Sequence, residues 1–230
     1  MKILAIETAT EACSTALMID HVIIEHYQVA PRAHNRLIIP MIESLLSKAN
    51  IHLNQLDALA FGRGPGSFTG IRIAASVAQG IALGADLPVI PISSLAALAQ
   101  EVFDEHNNTI TYGCLDARMG EVYWGIYRKN EQGLAQLIGT ESVSTPEQAF
   151  LPCDCRGIGT GNGWQTYELI LKKRLKEHVE KILTQCFPRA KHIALLAREK
   201  YHLEDWVSPE QAIPLYIRNQ VVKKFNTVHS

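Results

Sequence analysis

The stretch "FGRGPGSFTGIRIA", residues 61–74, sets four glycines and a proline directly ahead of an apolar, helix-like run. Such a loop either cradles an anion or turns the chain tightly from a strand into a helix. Glycine permits positive φ and close backbone approach, and a following helix N-terminus adds partial positive charge. The spacing is not that of a P-loop, because no lysine follows Gly70. Nor is it G-x-G-x-x-G, since Gly70 comes four residues after Gly66. Ser67 or Thr69 is placed to cap the helix. On spacing alone the turn and the anion site both remain open.

Outward from the loop, a strand is expected at 56–62, a helix at 69–85 and a strand at 89–92. The helix "TGIRIAASVAQGIALGA" carries Thr69, Arg72, Ser76 and Gln79 as one thin polar stripe, with apolar or small residues elsewhere. A helix apolar on most of its circumference is covered on most sides. One side can lie on its own sheet, and the other calls for a second helix or a second protein; intramolecular packing would serve equally. Upstream, residues 2–7, 13–19 and 22–29 read as short strands. Residues 35–49 read as a helix through Ile38, Met41, Ile42, Leu45 and Leu46, with Pro40 expected to kink it or limit its first turn.

The pattern resets near residues 106–108. Residues 110–116 and 121–127 read as a hairpin joined by "ARMG". More strand is expected at 134–140, helices at 165–177 and 189–203 around a short apolar stretch at 182–183, and a strand-like or extended "PLYIR" at 214–218. The halves echo each other: "ILAIETATEACSTALM" and "YGCLDARMGEVYWGIY" each run strand, acid, turn, strand, with Glu7 and Asp116 as the acids. This implies two similarly built lobes.

Composition narrows the function classes. The 230 residues are 47% hydrophobic and 20% charged, with 22 Lys plus Arg against 23 Asp plus Glu. That balance argues against an autonomous nucleic-acid binder. The opening "MKILAIETAT" reads as a strand, not a signal peptide, and no run approaches the ~20 apolar residues of a membrane span. A soluble, cytoplasmic chain is expected. The five cysteines are scattered; "CDC" at Cys153 and Cys155 lacks zinc or redox spacing, so unpaired thiols are expected. Neither a His-Glu-x-x-His pair nor G-x-S-x-G occurs, and no metal site is expected. "DARMGEVY" reads as a charged turn around Gly120, with Asp116 and Arg118 orienting a polar ligand as the alternative. "RGIGTGNGW" at 156–164 is a second glycine-rich stretch, explained by turns or by a nucleotide nearby. The basic run "KKRLKEH" at 172–178 reads as a solvated face.

Together, "ILAIETATEACSTAL", "ALAFGRGPGSFTGIRIAASVAQGIALG", "DARMGEVYW" and "PLYIR" resemble the TsaB (YeaZ) family, in order over most of the chain and more loosely over 140–207. The resemblance implies an α/β, actin-like and Hsp70-like (ASKHA) fold of two related lobes, each a mixed sheet flanked by helices. The lobes would span 1–108, with the partner-binding helices, and 109–230. It implies a non-catalytic scaffold needed to form threonylcarbamoyladenosine next to the anticodon of tRNAs reading codons that start with A. The partners would be the catalytic TsaD, with the ATPase TsaE in a ternary complex. Alone, the chain would form a homodimer; tRNA would be met only through the complex, and no membrane is involved.

The partner face would lie on helices 35–49 and 69–85, at Leu37, Met41, Gly70, Ile73, Ala74, Val77, Ala78 and Ile81. Gly70, Ala74 and Ala78 would permit close approach, and a charge at Ala74 should break both pairings. No cofactor is expected, beyond a weak or interface-bound nucleotide. In nucleotide-binding relatives of this fold an acid is followed closely by glycine; here Glu7 replaces the shorter Asp and Ala9 the glycine, hindering close phosphate approach. A residual nucleotide or anion site would use Glu7, Thr8, Gly64, Gly66, Ser67, Asp116 and Arg118. TsaD-like chains carry a His-x-x-x-His metal pair where this chain has Ser94 and Leu98, which cannot replace two imidazoles. Two alternatives accompany this reading. One is a small ATP-binding phosphotransferase or ATPase using Glu7, Thr8, Asp116 and the loop 64–67. The other is direct tRNA binding through Arg32, Arg36 and the run 172–176.

Overall fold

A computed structural model describes residues 1–151 and 155–218. The first sheet contains β1 (Lys2–Glu7), β2 (Ala12–Ile19), β3 (Val22–Val29), β4 (Ala58–Gly62) and β5 (Val89–Ile92), in the order β3-β2-β1-β4-β5. The first three strands form an antiparallel meander, and β4 and β5 then join in parallel. Parallel neighbours need crossovers. These are α1 (His34–Ala49), which continues through Pro40, and α2 (Phe68–Ala85).

After α3 (Ser94–Glu105) the plan recurs. The strands are β6 (Ile110–Arg118), β7 (Glu121–Lys129), β8 (Ala135–Ser144), β9 (Gly157–Thr160) and β10 (Val179–Leu183), in the order β10-β9-β6-β7-β8. Helices α4 (Asn162–Leu175) and α5 (Ala190–His202) complete it. The second sheet thus repeats the first strand for strand, which is the two-lobed actin-like architecture.

Two elements differ from the sequence expectation. Residues 94–105, assigned no structure above, form α3, capped by the Ser93 hydroxyl accepting from the amides of Leu95 and Ala96. The glycine-rich stretch 156–164 contains β9, because Gly159 leaves room for the Trp164 ring; a Cβ there would lie 2.5 Å from it. The Trp164 indole N–H donates to Tyr112 O at 2.9 Å, fixing α4 on β6. "PLYIR" joins no strand.

Central strand β1 is buried on both faces, which is why it reads as an unbroken apolar run. Alternate residues serve different cores. Leu4, Ile6, Leu17, Leu59 and Phe61 face α1 and α2 through Ile38, Ile42, Ala74 and Ala78. Ile3, Ala5, Ala16, Ala58 and Ala60 face Ala190, Ile193, Ala194 and Ala197 of α5. Small side chains on both surfaces let α5 lie close to the sheet. In the second sheet, Tyr112, Cys114 and Trp124 pack on α4, whereas Leu115 and Tyr127 pack on Leu95, Leu98 and Phe103 of α3. Each half of the chain therefore lends a helix to the other half's sheet, so a cut near residue 108 separates the strands but not the helices covering them.

Arg189 ties this crossing together. Its guanidinium contacts Glu25 of β3 at 2.5 Å and Glu101 of α3 at 3.8 Å. Burial, with the Glu105 charge nearby, pushes the Glu101 carboxyl up to about 7. A carboxyl raised on folding stabilises the fold while protonated, fully so below its unfolded pKa near 4.5. That contribution is lost as pH rises towards 7. Glu101→Gln should therefore be nearly neutral at pH 4 and stabilising by on the order of 2–3 kcal/mol at pH 8, measured by denaturant unfolding at both pH values. Equal effects at both would remove this assignment.

By length and composition α2 could cross a membrane, but it lies on the sheet with Gly70, Ile71, Ala74, Ala75, Ala78 and Ala82 buried. Cys13, Cys114 and Cys186 are free thiols. Cys155 is disulfide-bonded, which corrects the expectation of an unpaired thiol at that position. Cys153 lies outside the described residues.

Candidate partner-binding face and inter-lobe cleft

The loop after β4 is shaped by the β1–β2 turn lying on it. Ser67 N donates to Ala9 O at 2.7 Å, and the Thr8 hydroxyl donates to Gly70 O at 2.7 Å. A Cβ at Gly66 would stand 2.4 Å from Ala9 O, and one at Gly70 2.0 Å from Thr8 O. The Ser67 hydroxyl caps α2 by accepting from Gly70 N at 3.4 Å. Close packing of two chain segments accounts for the glycines at 66 and 70, which is the tight-turn reading of the loop.

Glu7 sits beneath that turn, fully buried, accepting from Ala9 N at 2.6 Å and from the Ser94 hydroxyl at 2.7 Å. Burial raises its pKa, opposed by these hydrogen bonds. Glu7 and Thr8, expected at a nucleotide site, are both 0% exposed and committed to partners inside the fold. Gly64 is buried as well. The remaining members of that set, Gly66, Ser67, Asp116 and Arg118, do line a common cleft. It measures about 1000 Å³ and opens between the first turn of α2, the β6–β7 hairpin and residues 215–218. Its arginines are largely engaged. Arg72 Nε donates to the Tyr216 hydroxyl at 2.8 Å, Arg118 bonds Asp116 at 3.2 Å, and Arg218 pairs with Glu121. The Asp116 carboxylate also accepts from Arg118 N at 2.8 Å, so it shapes the hairpin turn, where Arg118, Met119 and Gly120 all have positive φ.

The helix face divides the expected contacts. Ile73, Val77 and Ile81 of α2 and Leu37 and Met41 of α1 are half-buried and pack against the first core, Leu37 and Met41 on the side of α1 that faces residues 25–28 of β3. Gly70, Ala74 and Ala78 face inward instead, with both alanines 0% exposed. Their small size serves the chain's own sheet and turn, so any contact they make with a partner is through the side chains that cover them. The outward positions of α2 are Phe68 (57% exposed), Arg72, Ser76, Gly80, Leu83 (68%) and Gly84; on α1, Ile39 is exposed. Among the described residues nothing lies within 4 Å of a Cβ placed at Gly80 or Gly84, so these glycines are open to close approach from outside. Sequence reasoning did not single out Phe68, Gly80, Leu83 and Gly84 as exposed positions on this helix. The signal was present: the polar stripe through Thr69, Arg72 and Ser76 marks the outward side, and positions 80 and 83 continue it at helical spacing.

A family model described as "TsaD: tRNA N6-adenosine threonylcarbamoyltransferase" matches residues 25–224. The chain is 39% identical to "tRNA threonylcarbamoyladenosine biosynthesis protein TsaB" of Escherichia coli (strain K12), covering 97% of both chains. It is 40% identical to the protein of the same name from Haemophilus influenzae, covering 97% of this chain and 96% of that one. Among solved structures, YeaZ from Pseudomonas aeruginosa superimposes with a TM-score of 0.88 at 40% identity, over 94% of this chain and 99% of that one.

Proposed function

Because the chain belongs to the TsaB family, we propose that it is a non-catalytic subunit in forming threonylcarbamoyladenosine on tRNA. The tRNAs modified in that pathway are those reading codons that start with A, at the adenosine next to the anticodon. Its task is to bind and activate TsaD. The observation that carries this reading is the outer side of α2, where Gly80 and Leu83 are exposed and Ile73, Val77 and Ile81 are only half-buried; Leu37 and Met41 of α1 are half-buried as well. Seated on that face, TsaD is held in its competent state, so the chain acts by shifting a partner's population and not by chemistry of its own. TsaE joins as a third component, tRNA is met through the complex, and the site of action is the cytoplasm. Without TsaD the same face pairs two copies.

The burial of Ser94 and Leu98, at the positions of the TsaD histidine pair, favours a subunit without a metal of its own. Burial of Glu7 weighs likewise against the ATPase alternative, which needs that carboxylate in the cleft. Reconstitution tests the proposal: threonylcarbamoyladenosine on tRNA is measured with TsaD, TsaE and the threonylcarbamoyl-adenylate synthase, with and without this chain. Formation that requires the chain, while the chain alone hydrolyses no ATP, is the expected result. Undiminished formation without it would overturn the reading.

A further inference from the structure

The segment 213–218 crosses the mouth of the cleft and is gripped by both lobes. On the first lobe, Leu215 N donates to Arg63 O at 2.8 Å and the Tyr216 hydroxyl accepts from Arg72 Nε at 2.8 Å. The Arg72 guanidinium lies 3.6 Å over the Phe68 ring and 5.6 Å from that of Tyr216. On the second lobe, Arg218 pairs with Glu121 and donates to Ala117 O at 3.1 Å, in the β6–β7 hairpin. Between these grips the segment has no regular structure, and Ile213, Leu215 and Tyr216 are 65%, 36% and 46% exposed. A segment with few backbone bonds and exposed apolar side chains belongs to the low-stability end of a fold. The other contacts joining the lobes at this mouth are weak: Asn162 to Glu11 at 3.4 Å and Arg118 to Glu11 at 4.0 Å.

We infer that residues 213–218 form a releasable strap coupling the first turn of α2 to the β6–β7 hairpin, such that a partner covering Phe68 and Arg72 displaces Tyr216 and frees the hairpin. The partner clause rests on the function proposed above; the coupling itself does not. The two grips sit at opposite ends of one short segment, so loosening either one slackens the other. Arg72 is the shared element, lying on the outward side of α2 while holding the strap.

Amide hydrogen exchange of the full-length chain tests the coupling with Tyr216→Ala, Glu121→Gln and the double variant. Tyr216→Ala should speed exchange of amides 117–121, which Tyr216 does not hydrogen-bond, by roughly five-fold, the loss expected for one hydrogen bond. Glu121→Gln should do the same at amides 68–72, and the double variant should add little to either. Tyr216→Phe, which keeps the ring, should give a smaller change of the same pattern. If each variant alters only its own end, the strap is disproved. TsaD added to the wild-type chain should protect α2 and speed exchange at 117–121. Protection of α2 with an unchanged hairpin would overturn the strap and leave the partner reading standing. No protection of α2, with the variant effects present, would overturn the partner reading alone.

Discussion

Gly80→Arg should leave the chain folded and eliminate its pairing with TsaD, its self-association and threonylcarbamoyladenosine formation in the reconstituted system. Gly80 is exposed, and no described residue lies within 4 Å of where its Cβ would be. Replacing a mid-helix glycine by arginine gains roughly 0.5–1 kcal/mol of helix propensity, so the melting temperature should hold or rise. Against a partner helix the same side chain brings bulk and an unpaired charge into the contact, at about 3–5 kcal/mol. That corresponds to binding weakened by roughly two to four orders of magnitude in calorimetry or sedimentation. Normal TsaD binding by the folded variant would remove α2 from the interface. Ala74→Asp does not test the same idea. Ala74 is 0% exposed, so a carboxylate there disrupts the chain's own core before any partner is met.

Gly70→Ala is the second large effect, on stability instead of binding. The added methyl would lie 2.0 Å from Thr8 O and 3.1 Å from Thr8 C, both backbone atoms of a fully buried residue. No rotamer relieves that contact, so the turn carrying Glu7, Thr8 and Ala9 must move away from the loop. The expected loss is about 3 kcal/mol or more, or roughly 6–12 °C in melting temperature for a chain of this size. Gly80→Ala is the matched control and should stabilise slightly. A Gly70→Ala variant melting within 2 °C of the wild type, by the rough scale of a 0.5–1 kcal/mol change, would mean that the turn does not rest on this loop.

The residues of the candidate face show what a one-dimensional pattern conveys. Apolar periodicity placed α1 and α2 within a residue of their observed starts, because it reports which positions avoid water. It did not distinguish residues avoiding water against the chain's own sheet from those covered by another molecule. Ala74 and Ile73 are neighbours in sequence and both apolar, yet one is fully buried by β4 and its neighbours while the other remains half-exposed. The unassigned α3 was missed for a related reason. "SSLAALAQEVFDE" is apolar on so many positions because it lies between the two lobes, which blurs the helical period.

Alternating and unbroken apolar runs, the acid at the end of each lobe's first strand and the glycine punctuation were enough by themselves to indicate the paired α/β lobes and the strand-to-helix turn, while the family came from the resemblance of four motifs. Those features are local: a strand, a cap or a tight turn is decided by residues within a few positions of each other. The exchange of α3 and α5 between sheets, the burial of Glu7 beneath its own turn, the inward direction of Gly70, Ala74 and Ala78, and the strap from Arg72 to Glu121 were decided only by the tertiary structure. Each depends on contacts between different elements, from neighbours in the chain such as α3 and β6 to segments about 190 positions apart such as β1 and α5, and on which of two apolar faces the rest of the molecule covers.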